Sequence, residues 1–198
     1  SPLLERQLQV GNGDPRRAQE ALNSAQQLIQ SAVGEDTLDV SVEMIRALRM
    51  VGKDADAEKH VNQLLTQHAD KEELLQKIDV LLDEPRSEKN KHMVAEINKK
   101  GIRLYNDKDL SGAADAFASA IQKLPNHIGL RLNYVQALLE KLRHGFDVTL
   151  AEKCQQGFSK IDSLIAPDHP QYQRYRQLND VYKKVVRANT TPATEAGL

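Results

Sequence analysis

The chain has 198 residues, 40% apolar and 28% charged, with 27 Lys and Arg against 28 Asp and Glu. That balance, with only 10 glycines and 7 prolines, excludes fibrous and disordered classes and leaves a soluble, helix-rich profile. No apolar run approaches the roughly 20 residues of a membrane helix, and the single cysteine, Cys154, excludes an internal disulfide and a cysteine-rich metal site.

The opening "SPLLERQLQV" has no basic start followed by an apolar stretch, so it is not a secretory signal. It also lacks an initiator methionine, which suggests a fragment or a processed product, and a reducing, cytoplasmic setting is expected. Asp14 and Pro15 start a first helix as a cap followed by proline. Ala18, Leu22, Ala25, Leu28, Ile29 and Ala32 share its face, and Gly34 ends it. "LDVSVEMIRALRMV" predicts a second helix with Val42, Ile45, Leu48 and Val51 inward, closed by Gly52. "DADAEKHVNQLLTQH" repeats the pattern through Ala57, Val61, Leu64 and Leu65, and "KEELLQKIDVLLDE" gives a shorter helix that includes Leu81 and Leu82.

Pro85 marks the expected boundary between an N-terminal part, 1 to 84, and a C-terminal part, 85 to 190. A long helix then runs to Tyr105, with others at about 109 to 124, 127 to 143, 148 to 165 and 169 to 189. The polar residues 191 to 198 read as a disordered tail. "FDVTL" is the nearest thing to a strand, short and solitary. The expected class is all-α, with about nine to ten helices.

Catalytic patterns are hard to find. His60 and His68 are eight apart, too far for one helical zinc site, which wants i, i+4. They read as surface histidines, and His92, His127, His144 and His169 fall at helix ends or turns. Cys154 has no base near it in sequence to lower its pKa and reads as a buried thiol. "GNGDP" lacks a preceding strand and the GxxxxGK[ST] order, so it reads as a capping turn. No catalytic, cofactor-binding or metal-binding residues are expected, and the chain reads as a non-enzyme.

Charge is unevenly spread. Residues 35 to 84 carry 13 acidic and 6 basic side chains, and residues 85 to 190 carry 18 basic and 11 acidic. These are ordinary solvated faces, or halves that recruit different partners or each other. Nucleic-acid binding by the basic half is the alternative function, disfavoured because "KNKHMVAEINKK" has little aromatic interleaving.

The stretch "GIRLYNDKDLSGAADAFASAIQKLP" sets a repeat register. Counted from Val94, Gly101 is eighth, Leu104 eleventh, Ala113 twentieth, Phe117 twenty-fourth, Ala120 twenty-seventh and Pro125 thirty-second. This resembles the tetratricopeptide repeat, a helix-turn-helix unit of about 34 residues. A small Gly101 opposite Ala113 and Ala120 would let two helices approach closely, offsetting the cost of a helical glycine. Phe117 would fill the wedge where the next helix docks, and Pro125 would end the unit. Lys100 stands where a large apolar residue is usual, so either its stem lies on the core with the charge outside or the local register is loose. "NDKD" replaces the turn glycine.

A second unit reads from Ile128 through Asn133, Tyr134, Leu138, Cys154, Phe158 and Ile161, if "RHGFDVT" carries about seven extra residues. A third fits 38 to 71, and 14 to 33 looks like half of a degenerate earlier one. The resemblance implies a right-handed superhelical stack of antiparallel helix pairs, an α-solenoid, with a C-terminal capping helix. Residues 94 to 182, with "LNYVQALL" and "YQRY", also resemble the region after the receiver domain in bacterial response regulators with tetratricopeptide-repeat outputs. That implies a receiver domain upstream, a part in two-component signalling, and a scaffold role toward a protein or peptide of unknown identity, a second copy of the chain included.

The same resemblance implies a concave groove. Its residues would be Asn98, Lys99, Ile102, Tyr105 and Asn106, then Leu132, Asn133, Gln136, Leu139 and Glu140, closed by Tyr172, Tyr175 and Arg176. Ile102, Tyr105 and Leu139 would supply apolar area, Asn98, Asn133 and Gln136 would bond a peptide backbone, and Arg176 or Lys99 would hold a carboxylate. The five-residue clamp for a C-terminal carboxylate is not assembled, which disfavours chaperone tails.

Overall fold

Breakers and caps divide the chain into helices much as their spacing predicts. A computed structural model describes residues 36 to 190, together with Arg16, Gln19, Glu20, Leu22, Asn23 and Gln27. Among the described residues there are eight helices and no strand: α1 (Asp36–Met50), α2 (Asp54–Gln67), α3 (Lys71–Asp79), α4 (Glu88–Asn106), α5 (Leu110–Lys123), α6 (Ile128–His144), α7 (Val148–Leu164) and α8 (Tyr172–Thr190). The protein is all-α. The expected tail at 191 to 198 and most of the expected helix at 14 to 33 lie outside the described residues.

Two compact units divide between Ile78 and Asp79. In the first, α1 packs on α2. Ile45, Leu48, Ala57, Val61, Leu74 and Ile78 are buried, while Val42, Val51, Leu64 and Leu65 are half-buried. Gly52 closes α1 at φ +79° with the Lys53 amide on Leu48 O at 2.8 Å, the left-handed stop that glycine adopts without a Cβ penalty.

In the second unit, α4 to α7 pack in sequence order, and α8 lies on α6 and α7. The starts of α4 to α7 each have a side-chain acceptor: Ser87 for the Asn90 amide, Asp109 for Gly112, His127 for Leu130 and Asp147 for Leu150. One apolar cluster fills the unit, from Ala113, Phe117 and Ala120 through Leu132, Val135 and Leu138 to Cys154, Phe158 and Ile161. Tyr182 closes it against Phe158, ring centroids 5.3 Å apart, its hydroxyl donating to Ala151 O at 3.0 Å.

The register around Gly101 needs one correction. Gly101 is buried on α4, and the atoms nearest its missing Cβ are ring carbons of Phe117, not Ala113 or Ala120. Cε1 and Cε2 would both stand 2.7 Å from an added Cβ, inside any real contact. The glycine makes room for a ring. In the next helix pair the small residue changes sides: Gly157 on α7 makes room for Val135 on α6. Lys100, for which a stem on the core and a loose register were the two expectations, is exposed.

The turn of the first pair has a lysine in glycine's place. Lys108 sits at φ +68°, with the Asp109 amide on Leu104 O at 2.9 Å, the same stop as at Gly52. A non-glycine residue there is strained by about 1–2 kcal/mol. Lys108→Gly is expected to stabilise the protein by up to about 1 kcal/mol, the strain relieved less the chain entropy that glycine adds. A urea melt with an unshifted or lowered midpoint would contradict this.

The helix expected to run to Glu84 stops at Asp79, and Pro85 is not the boundary between the units. The 79 to 87 connection bonds into the second unit. Asp79, 1% exposed, takes the amides of Arg86 and Ser87 at 2.6 and 3.0 Å and the Asn90 side chain at 3.0 Å. Leu81 O accepts from Asn126 Nδ2 at 3.3 Å. Asp83 takes the Ile128 amide at 3.0 Å through Oδ1 and His169 Nε2 at 2.6 Å through Oδ2. His169 Nδ1 accepts the Gln171 amide, so Nε2 is the nitrogen that donates.

Candidate functional site

The contact of Gly101 with Phe117 is the floor of an opening. With no side chain at 101, α4 leaves a cleft of about 290 Å³ lined by Gly101, Ile102, Tyr105, Asn106, Phe117, Asn133, Gln136 and Arg174. Helix spacing explains the α4 wall, since residues 101, 102, 105 and 106 fall on one face. On α6, Asn133 and Gln136 are one turn apart and half-buried, polar positions interleaved with the buried Leu132, Val135 and Ala137. Ile102 is 53% exposed, an apolar side chain left open to water beside the half-buried Tyr105.

The polar wall is organised by hydrogen bonds. Asn133 Nδ2 donates to Asn98 Oδ1 at 3.2 Å, which turns its oxygen toward α8. Arg174 Nη2 donates to that oxygen at 2.8 Å and to Gln136 Oε1 at 2.6 Å, while Nη1 donates to Gln171 Oε1 at 3.2 Å. Burial lowers the Arg174 pKa from its ordinary value, yet a guanidinium remains charged in a protein. The wall is a fixed cation framed by amides.

The thirteen groove residues expected from the sequence separate. Ile102, Tyr105, Asn106, Asn133 and Gln136 line the cleft, and Asn98 stands behind Asn133. Leu132, Leu139 and Tyr175 are core residues, 0%, 3% and 5% exposed, because α6 has neighbours on several sides and α8 turns Tyr175 inward. The Tyr175 hydroxyl donates to Asp162 at 2.9 Å, and burial raises its pKa. Tyr172 packs against the core beside it, and Glu140 pairs with Arg143 and His144. Lys99 and Arg176, expected to hold a carboxylate, are exposed and do not line the cleft. Arg174 is the basic side chain that lines it. Its signal was one residue away from Tyr175: Arg174 and Arg176 flank that tyrosine by about 100° on either side, and periodicity alone cannot choose between them.

Elsewhere the polar side chains have structural surroundings. Among the described residues no three of His, Cys, Asp and Glu converge as a metal site. His60, read as a surface residue, is half-buried, and desolvation lowers its pKa. Burial also lowers the pKa of His127, against the opposing pull of Asp83 and Glu84, which suits its neutral ring to capping α6. Cys154 is fully buried, and burial pushes its thiol up to about 11. At pH 8 the native protein is therefore expected to resist a thiol reagent that reacts fully after denaturation in guanidinium. Rapid labelling of the native chain would refute its place in the core.

No described helix is long and apolar enough to cross a membrane. Comparison of the chain with protein-family models, curated proteins and solved structures gives no match.

Proposed function

We propose that this chain is a non-catalytic interaction module whose cleft between α4, α6 and α8 takes an extended segment of a partner protein. One observation carries the reading: an apolar floor and an exposed Ile102 lie beside amides and a guanidinium already held in place. Such a mixture suits a peptide, whose side chains need apolar area and whose backbone needs donors and acceptors. The repeat-like spacing of Gly101, Ala113, Phe117, Ala120 and Pro125 supports a tetratricopeptide-like scaffold. The likeness of 94 to 182 to response-regulator outputs supports a cytoplasmic, bacterial setting with a receiver upstream. In that setting the receiver's state would govern access to the cleft.

Selection of a random-peptide phage library on the immobilised chain tests the reading. Peptides are expected to enrich on the native protein and to lose binding to Ile102→Ser/Tyr105→Ala, with circular dichroism confirming that this variant is folded. Equal binding to both proteins, or no enrichment, would remove the cleft as the docking surface.

A further inference from the structure

The cleft holds a charge that no carboxylate among the described residues answers. All three acceptors of Arg174, on Asn133, Gln136 and Gln171, are neutral amides. Among the described residues no carboxylate lies within ion-pair distance of it. A guanidinium has five N–H donors, and these three bonds leave the Nε–H and one Nη1–H without an acceptor among the described residues. Drawing a cation half out of water without a counter-ion is costly. The amides fix its orientation in advance, so little ordering remains when an anion arrives.

We propose that the cleft selects an acidic side chain, Asp or Glu, next to an apolar residue in the partner segment. The carboxylate pairs with Arg174 and the apolar neighbour rests on Ile102, Tyr105 and Phe117. This rests on the peptide-docking reading above and names what that peptide must carry. A phosphate backbone is a poorer occupant. It would want several cations and a stacking platform, whereas Lys99, Lys100 and Arg103 are exposed outside the cleft and, of its two aromatic residues, Phe117 is buried. One cation and a half-open volume of about 290 Å³ fit a monoanionic side chain with one neighbour.

The test uses an enriched phage peptide, synthesised with its acid and again with the matching amide, Glu→Gln or Asp→Asn. Titration calorimetry of the unaltered chain is expected to show the amide peptide binding about tenfold more weakly or worse. Arg174→Gln is expected to bind the two peptides alike, at the weaker affinity. Equal affinity of both peptides for the unaltered chain, an arm that needs no variant, would overturn the proposal. So would a set of tight-binding selected peptides without acids. Either result leaves peptide docking intact if Ile102→Ser/Tyr105→Ala still abolishes binding, so the two failures are separable.

Discussion

Gly101→Ala is expected to change sign with its background, destabilising the natural chain and stabilising a chain that carries Phe117→Ala. In the natural chain the new Cβ falls on the Phe117 ring. The ring is 2% exposed and set among core side chains, so it has little room to retreat. Overpacking of this kind costs about 1–3 kcal/mol, and Gly101→Leu should cost more and close the cleft. Phe117→Ala by itself should cost about 3–5 kcal/mol, a large share of the 5–15 kcal/mol that holds a typical domain. With the ring gone, alanine at 101 gains its helix propensity of about 1 kcal/mol over glycine. Guanidinium melts of the four proteins measure all the terms. Additive effects would mean that the ring and the glycine do not meet.

Asp79→Ala is expected to cost about 2–4 kcal/mol, since it leaves one buried and two part-buried N–H groups without the acceptor they share. The donors are the Arg86 and Ser87 amides and the Asn90 side chain. Asp79→Asn should be nearly as damaging, although it is isosteric. Three N–H donors need acceptor lone pairs on both oxygens, and asparagine would turn an NH₂ toward them. Urea unfolding decides: an asparagine variant as stable as the parent would show that the carboxylate's charge and second oxygen are not needed.

Helix positions were legible because the signals are local. Gly52 stops α1, Pro125 follows α5, and Asp109 and Asp147 cap what comes next. The Gly101, Ala113, Phe117 and Ala120 spacing located a close helix pair, although the partner of the glycine was the ring and not the alanines. Of the expected groove residues, Ile102, Tyr105 and Asn106 on α4 and Asn133 and Gln136 on α6 line the cleft, whereas Leu132 and Leu139 on α6 are buried. Ile128, Leu130, Leu132, Val135, Ala137, Leu138, Leu139 and Leu142 are all buried there, because α5, α7 and α8 each take a side. A helix's own sequence does not say how many neighbours it has, so Leu132 and Leu139 read as groove. The stop of α3 at Asp79 was hidden for another reason. Side-chain bonds between a connection and distant loops leave no periodic trace.

The Asp83 carboxylate joins positions 45 and 86 residues away, Ile128 and His169, whereas helix neighbours in this unit are mostly successive in the chain. Those two bonds therefore close much longer loops than the helical hairpins do, and non-local closures come late in folding. The Ile128 amide is one of the first-turn donors that α6 itself cannot satisfy. Among the described residues its acceptor is Asp83 Oδ1, in the connection before α4. Hydrogen exchange at this single amide consequently reports the undocking of that connection while the helices on either side stay folded.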